Sequence, residues 1–431
     1  MLGSFGSTSH EEEVEDPSPA TPSTVLDLHH YHHHHQIQHH HHHHDAPPAD
    51  TIVHMRQLLI SCAELVSRSD FSAAHRLLTI LSANSSPYGD STERLLHQFT
   101  KSLSLRLHRY ATASTTVTIG LPSASTTSPS SIIQPDFAVI QSSYLSLNQV
   151  TSFIRFAQLT ANQAILEAVQ NQQAIHILDF DILHGVQWPP LMQAIAERGF
   201  PSPSLRITGT GSDLDILRRT GDRLAKFAHS LGLKFQFHPL LLINTDDYDP
   251  TSTVLLLPGE TLAVNCVLYL HRLLGDRDRA RLFLRRIKSM SPKVVTVAER
   301  EANHNHPAFL QRFAEAVDHY SAVFDSLEAT LPPASRERLA VEEVCFGREI
   351  ADIVAADAES RRERHERFRS WEVMLRSSGF NNLPLSPFAL SQAKLLLRLH
   401  YPSEGYRLHI LNHSFFLGWQ NQPLFSVSSW Q

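Results

Sequence analysis

The chain has 431 residues, 42% of them hydrophobic and 19% charged, which is enough for one large globular domain or for two or three of average size. A formal net charge of -6 excludes a general attraction to nucleic acid or anionic membranes, so any DNA contact must use a local basic patch. The three cysteines are far apart, no apolar run reaches the ~20 residues that span a bilayer, and the start lacks the pattern of a secretory signal. We therefore expect a soluble intracellular protein with no membrane contact.

Residues 1–50 form a polar tail that is acidic at first, then rich in Ser, Thr and Pro, and rich in histidine from His29 to Asp45. Such a composition cannot bury enough apolar surface to offset the entropy lost on ordering, so the tail is predicted to be disordered. Histidine runs can bind zinc or nickel, but no fixed ligand spacing is visible. A low-complexity tract is the favoured interpretation.

A layer of helices is predicted next, because apolar residues recur at helical spacing from about Ile52 to Tyr110 and again from Phe137 to Gln170. Asp70 is a suitable N-cap for the second helix, and Asp90 with Glu93 forms a capping-box pattern before the third. Residues 111–134 are rich in Ser and Thr and are predicted to be a flexible surface insertion.

From Ala174 the pattern changes to alternating strands and helices, which is typical of a parallel sheet covered on both faces. The fold class predicted is α/β: a Rossmann-like, methyltransferase-type, mostly parallel sheet with an N-terminal helical cap and a C-terminal antiparallel hairpin. The last two strands are expected to close the sheet edge. The candidate strands read AIHILDF, LRITGT, KFQFHPL, TLAVNCVLYL, KVVTVAER, YRLHIL, FFLGWQ and LFSVSSW.

The crevice at the carboxyl ends of such strands is the usual ligand site, and a cofactor enzyme needs glycines there. After the second strand Gly209 and Gly211 are present, but Leu214 stands in the third glycine position. No hydrolase, Walker, zinc-protease or kinase motif is present. A scaffold is therefore favoured over the alternative, a small-molecule-binding or S-adenosylmethionine-dependent enzyme, and no cofactor is expected. The residues predicted to fill the turn after the first strand are Ile182, Leu183, Val186, Gln187 and Trp188.

Asp179, Asp181 and His184, also in this turn, could form a metal or acid–base cluster. A structural role is the favoured interpretation. In that interpretation both aspartates cap neighbouring backbone donors and His176 is a hydrogen-bonded core residue.

Three motifs stand out: IHILD at residues 175–179, a set of residues between Pro292 and Glu349, and a tryptophan-containing set between Trp371 and Trp430. They resemble motifs of the GRAS family of plant transcriptional regulators, and the resemblance extends from about Met55 to the C-terminus. His319 stands where the family has the Phe of PFYRE, and the final triplet reads Ser428-Ser429-Trp430. The matching residues are Ile175, His176, Ile177, Leu178 and Asp179 for the VHIID motif, Pro292, Tyr320, Arg348 and Glu349 for PFYRE, and Trp371, Gly379, Trp419 and Trp430 for SAW.

The resemblance implies a GRAS domain over residues 51–431. Its regions would be leucine-rich region I (51–110), VHIID (135–200), leucine-rich region II (210–242), PFYRE (250–350) and SAW (351–431). Within the family the chain looks most similar to the Lateral suppressor branch. That implies a nuclear regulator of transcription that promotes axillary meristem initiation and shoot branching. Its partners would be other transcription factors or co-regulators, with homo- or heterodimers within the family and DNA contacted directly or through partners.

Leucines spaced by seven residues mark both leucine-rich regions. In the second, Leu217 and Leu224 are predicted to pack against the sheet. In the first, Leu96, Leu103 and Tyr110 are the predicted partner interface, because this helix lies outside the strand–helix alternation. The LHRLL segment from Leu270 to Leu274 fits a coactivator-binding pattern, but its place at the end of a strand predicts burial.

Two basic segments are candidate surfaces. RRERHERFR, residues 361–369, interleaves five arginines with glutamates, which favours a solvated, salt-bridged face. On the second leucine-rich helix, the candidates for contact with DNA phosphates are Arg218, Arg219, Arg223 and Lys226.

Overall fold

The computed structural model describes residues 49–118, 137–199, 202–242, 250–356 and 359–431. The predicted disordered tail, up to residue 48, and the predicted insertion, from residue 119 onward, lie outside these ranges. None of the helices within them is long and apolar enough to cross a membrane.

The predicted helical layer is present, and its caps form as the sequence indicated. The Asp70 carboxylate accepts a hydrogen bond from the backbone N–H of Ala73 at 3.0 Å. Asp90 and Glu93 each accept from the other's backbone N–H, at 2.9 and 3.0 Å, so the predicted capping box is confirmed. The third helix continues to Thr118, so residues 111–118 are helical and the prediction that the insertion begins at residue 111 is wrong. The layer comprises α1 (Ala49–Ser67), α2 (Phe71–Ala83), α3 (Ser91–Thr118), α4 (Phe137–Val150) and α5 (Ser152–Ala168).

One mixed sheet forms the centre of the fold. Its first five strands run parallel to one another, and the last three long strands join them antiparallel in the order β3-β2-β1-β4-β5-β9-β8-β7. The short strand β6 pairs with β9. This arrangement confirms the predicted Rossmann-like fold class. The strands are β1 (Ala174–Asp179), β2 (Ser204–Gly211), β3 (Phe235–Leu241), β4 (Thr261–Val267), β5 (Val294–Arg300), β6 (Asn382–Leu383), β7 (Tyr406–Leu411), β8 (Ser414–Trp419) and β9 (Gln422–Trp430).

Two details of the sheet differ from the prediction. The last strand, β9, lies between β5 and β8, so the edge is formed by β7 and not by the final hairpin. Strand β4 ends at Val267, three residues before the predicted end, because Leu268 adopts a left-handed conformation with φ of 56°. The chain then enters a 3-10 turn, Leu270–Gly275, that carries the LHRLL segment.

Helices cover both faces of the sheet and connect its strands. They are α6 (Trp188–Ala196), α7 (Leu214–Ser230), α8 (Pro250–Thr253), α9 (Arg277–Ser289), α10 (Phe309–Thr330), α11 (Arg336–Ala340), α12 (Gly347–Ala355), α13 (Phe368–Ser377) and α14 (Pro387–His400), with a π-helical turn at Val341–Phe346. The free cysteines Cys62, Cys266 and Cys345 are buried among them. Burial raises the pKa of Cys62 and of Cys345 to about 12, so these thiols act as small apolar side chains.

Candidate functional site

His176, in the middle of β1, is a satisfied core histidine, as predicted. Its Nε2 lies 2.8 Å from Thr208 Oγ1, and its Nδ1 lies 3.0 Å from the Arg206 guanidinium. Burial, together with the charge of Arg206, lowers the pKa of His176 to about 4. The ring is therefore neutral at physiological pH and holds β1 to β2.

Asp179, the last residue of β1, is the centre of a buried polar network. Its carboxylate accepts hydrogen bonds from Trp188 Nε1 at 2.8 Å and from Asn265 Nδ2 at 2.7 Å. Gln187 bridges Asn265 to Asn162. The expectation that Asp179 caps backbone donors is wrong, because its partners are side chains of β4 and α6. Burial raises the pKa of this carboxyl to about 7, against the effect of the two donors.

Contrary to the prediction, Asp181 does not cap backbone donors with its side chain. It adopts a left-handed φ of 62°, its N–H donates to Thr210 Oγ1 at 2.9 Å, and its carboxylate forms an ion pair with Arg272. In the described part of the chain, the groups of three His, Cys or acidic side chains close enough to hold a metal do not include Asp179, Asp181 and His184. The structure therefore does not bring these three side chains together in the arrangement of a metal site.

Side chains of the protein itself occupy the crevice beside β2. A Cβ on Gly209 would lie 2.8 Å from Ile182 Cγ2 and 3.0 Å from Phe237, and a Cβ on Gly211 would lie 3.2 Å from Leu217 Cδ2. The two glycines thus make room for neighbouring side chains and not for a nucleotide. Among the residues predicted to fill the turn, Ile182, Gln187 and Trp188 are buried. Leu183 and Val186 are instead 38% and 39% exposed, which corrects that part of the prediction.

Two of the four PFYRE residues meet in the core. Tyr320 donates a hydrogen bond from its hydroxyl to Glu349 Oε2 at 2.7 Å. The same carboxylate pairs with Arg300 at 2.8 Å. Arg300 is fully buried and was not singled out from the sequence, where it is only the last residue of a predicted strand. Pro292 is buried just before β5, and Arg348 is exposed on α12.

The SAW residues are structural. The indole side chains of Trp371, Trp419 and Trp430 are all buried, and Trp430 pairs in β9 with Val295 of β5. Gly379 follows α13 with φ of 94°, a conformation that glycine adopts without strain. These residues fix the C-terminal strands to the sheet.

The first leucine-rich region is core and not surface. Leu96 is 2% exposed and Leu103 is 0% exposed, because α3 packs against α10 and α12. The prediction that these two side chains form a partner interface is therefore wrong: a helix with apolar residues on one face buries that face when a layer covers it. Tyr110 is only partly buried, and it stacks on Phe71 with ring centroids 5.8 Å apart.

The second leucine-rich region behaves as predicted. Leu217 and Leu224 are buried against the sheet. Leu270 and Leu274 of the LHRLL segment are buried as well, although in a turn and not in a strand. The coactivator pattern is therefore not displayed at the surface.

The basic residues of α7 are all exposed. Arg223 donates to the backbone carbonyl of His184 at 3.1 Å, and Arg218 lies 3.6 Å from Asp215. Exposure is what contact with DNA phosphates requires, but that contact stays a prediction. The exposed set is Arg218, Arg219, Arg223 and Lys226.

Residues 361–367 form a segment without helix or strand, which we call the strap, and the prediction of a solvated, salt-bridged face holds for only part of it. Arg362 and Arg367 are exposed, and Arg367 pairs with Glu315 at 2.8 Å. Arg361, Arg364, His365 and Glu366 are buried. The backbone carbonyl of Glu366 accepts from Trp371 Nε1 at 2.9 Å. The interleaved charges favoured solvation of the whole segment, but the buried His365 and Glu366 pair with His304 and Arg277, which are distant in sequence.

An exposed apolar surface lies at the C-terminal edge of the sheet, which sequence reasoning missed. On α14, Phe388 is 59% exposed and Leu399 is 62% exposed, and Leu395 shares their face. Ile410 and Leu411 on the edge strand β7 are also exposed. In the sequence, the signal for this shared face is the spacing of the three apolar residues of α14, which follow one another at seven and then four positions. A groove of about 520 Å³ between α14 and β7 is lined in part by Lys394, Leu397, Arg398, Glu404, Tyr406, Arg407 and Leu408.

Comparison with known proteins shows the family to which this chain belongs. The model of the GRAS domain family matches residues 55–431. The chain therefore belongs to the GRAS family, whose members are regulators of plant transcription and not enzymes. It is 55% identical over 405 residues to Scarecrow-like protein 18 of Arabidopsis thaliana, covering 88% of this chain and 91% of that protein.

Two further relatives agree with this assignment. The chain is 47% identical over 404 residues to Protein MONOCULM 1 of Oryza sativa subsp. japonica, covering 87% of this chain and 88% of that protein. The crystal structure of SCL7 in Oryza sativa superposes with a TM-score of 0.72 at 34% identity, covering 88% of this chain and 99% of that one. The predicted membership of the GRAS family is thereby confirmed.

Proposed function

We propose that this GRAS protein is a nuclear regulator that acts through protein partners bound at the surface of α14 and β7, which we call the C-terminal edge. The exposed apolar residues of this edge carry the proposal. Phe388, Leu395 and Leu399 share one face of α14, and a patch of exposed apolar side chains of this kind marks an interaction site. Among the described residues β7 pairs with β8 alone, so its outer edge adds backbone donors and acceptors that a partner strand can use.

The charges around the groove indicate the kind of partner. Lys394, Arg398 and Arg407 face Glu404, so cations outnumber anions along its lining. A partner segment with apolar anchors and acidic flanks would complement this surface. Other transcription factors or co-regulators, including a second family member, are the partners we infer.

DNA contact would be secondary. The exposed cations of α7 can position phosphates without reading sequence, and such affinity falls steeply with salt. We therefore infer weak direct DNA binding, with recruitment to chromatin mainly by partners.

The biological role follows from relatives. We infer that the protein promotes axillary meristem initiation and shoot branching, because of the sequence features shared with the Lateral suppressor branch and the 47% identity to a protein named MONOCULM 1. The filled crevice beside Gly209 and Gly211 argues against a methyltransferase-like enzyme. Thermal stabilisation of the full chain by S-adenosylmethionine would reverse that conclusion.

The test compares two double variants of the full chain in plant nuclei. Phe388→Glu with Leu399→Glu places charge on the C-terminal edge. The matched control, Leu282→Glu with Val373→Glu, changes exposed apolar residues on α9 and α13. We expect the first variant to lose chromatin occupancy and reporter output while keeping the Tm of the wild type, and the control to retain all three. Equal occupancy of both variants would contradict the proposed docking surface.

A further inference from the structure

Three ligand-type side chains meet where the strap packs on the turn after β4. His271 comes from that turn, while Glu363 and His365 come from the strap. Glu363 lies against His271 and His365, and the two histidine rings lie 4.3 Å apart between centroids. All three are buried or nearly so, with Glu363 the most accessible at 19% of its side chain.

The distances between the ligand atoms fit a tetrahedral metal site. Glu363 Oε2 lies 3.2 Å from His271 Nε2 and 3.2 Å from His365 Nε2. The three atoms all lie within 4.8 Å of one another. Ligands at about 2.0 Å from a tetrahedral zinc ion are separated by roughly 3.3 Å. Two edges of such a tetrahedron are therefore already present.

The second ring nitrogen of each histidine also has a partner of the kind found around metal sites. His271 Nδ1 lies 2.7 Å from Glu299 Oε2, and Glu299 Oε1 accepts from the backbone N–H of His271. His365 Nδ1 lies 2.9 Å from His304 Nδ1. Metal-binding histidines commonly fix their second nitrogen through a carboxylate or another acceptor in this way. Each ring thereby turns its Nε2 toward Glu363.

His271 Nε2 is a second observation that points to a bound ligand. It is buried and has no hydrogen-bond partner of good geometry, although Glu363 Oε2 lies 3.2 Å away. A cation bound between these two atoms would give the buried nitrogen a partner.

We propose that His271 Nε2, Glu363 Oε2 and His365 Nε2 bind one Zn²⁺, with water in the fourth position. Two imidazoles and one carboxylate favour zinc over calcium or magnesium, which prefer oxygen ligands. The ion would hold the strap against the sheet. This agrees with the other anchors of the strap, such as the backbone N–H groups of Arg362 and Glu363 that donate to Asp352.

The test measures zinc bound by the full chain at a free concentration fixed by a chelator, with elemental analysis. The histidine-rich tail is a competing site, so a variant with every histidine from His29 to His44 replaced by serine is included. We expect the wild type and the tail variant each to bind one zinc ion tightly. The variants His271→Gln and Glu363→Gln should each abolish this binding. His319→Gln, at a buried histidine outside the ligand set, is the matched control and should keep it. Glu299→Gln should weaken binding by ~10–100-fold.

A spectroscopic measurement covers the case in which a ligand variant fails to fold. Cobalt substituted into the tail variant should give the intense visible bands of tetrahedral coordination, and zinc should raise its Tm. Weak octahedral bands, or a Tm indifferent to zinc, would overturn the proposal and leave a metal-free ion pair between His271 and its two glutamates. Loss of all tight zinc in the tail variant would overturn it equally, by assigning the metal to the tail.

Discussion

Trp188 Nε1 donates a hydrogen bond to Asp179 Oδ2 at 2.8 Å, joining the first residue of α6 to the last residue of β1. Both side chains are buried, so this bond is shielded from water. It gives the tryptophan at the start of α6 a structural role in the segment that follows the VHIID motif. The buried hydrogen-bond network around Asp179 therefore occupies the space at the carboxyl end of β1.

Trp188→Phe should destabilise the protein by about 1.5–3 kcal/mol, because a carboxylate loses a buried donor. Trp430→Phe is the matched control: it removes a bond of similar length to the neutral Ser428 hydroxyl, and should cost about 0.5–1.5 kcal/mol. Urea unfolding at pH 8 measures both. Equal losses would show that the Asp179 network contributes nothing beyond an ordinary hydrogen bond.

The raised pKa of Asp179 predicts a pH dependence of stability. An unfolded aspartate titrates near 4, whereas burial places the pKa of Asp179 at about 7 in the folded protein. Folding therefore takes up a proton between these values. This contribution to the free energy of unfolding is fully present below about pH 4 and falls by at most ~1.4 kcal/mol per pH unit as pH rises to about 7.

Asp179→Asn provides the comparison, since the amide does not titrate. We expect the difference in stability between wild type and variant to shift in favour of the variant from pH 5 to pH 7, and to level off above pH 8. Parallel curves across this range would show that Asp179 ionises normally.

Leu103→Ala should cost about 2–5 kcal/mol, as expected for a leucine fully buried in the core of the helical layer. Leu103→Glu should give insoluble or protease-sensitive protein, because it buries an unpaired charge. Ser104→Glu changes an exposed neighbour on the same helix and should leave the Tm nearly unchanged. A soluble, fully stable Leu103→Glu protein would restore the idea that this side chain faces a partner.

Trp430→Ala should cost about 3–5 kcal/mol although it lies one residue from the C-terminus. The indole is fully buried, and its residue pairs with both β5 and β6. Gln431→Ala keeps the backbone bonds to Asn381 and should be nearly neutral. Limited proteolysis and thermal unfolding check the pair. A Trp430→Ala protein as stable as the wild type would show that β9 does not depend on this anchor.

Local signals in the sequence were sufficient for the elements and their caps. The alternation from Ala174 onward predicted the parallel strands, and Asp70, Asp90 and Glu93 predicted helix starts, because these depend on neighbours within a few residues. The incomplete glycine pattern at Gly209 and Gly211 favoured a scaffold over a cofactor enzyme. The three motifs indicated the family.

Only the tertiary structure decided which apolar or charged faces are covered. Periodicity places Leu96 and Leu103 on one side of α3 but does not say that α10 and α12 pack there. The interleaved charges of the strap favoured a solvated face, yet His365 is buried against His304 and His271, which are distant in sequence. Contacts of this kind depend on the path of the whole chain, because residues nearly a hundred positions apart become neighbours only when the sheet and its connections have formed.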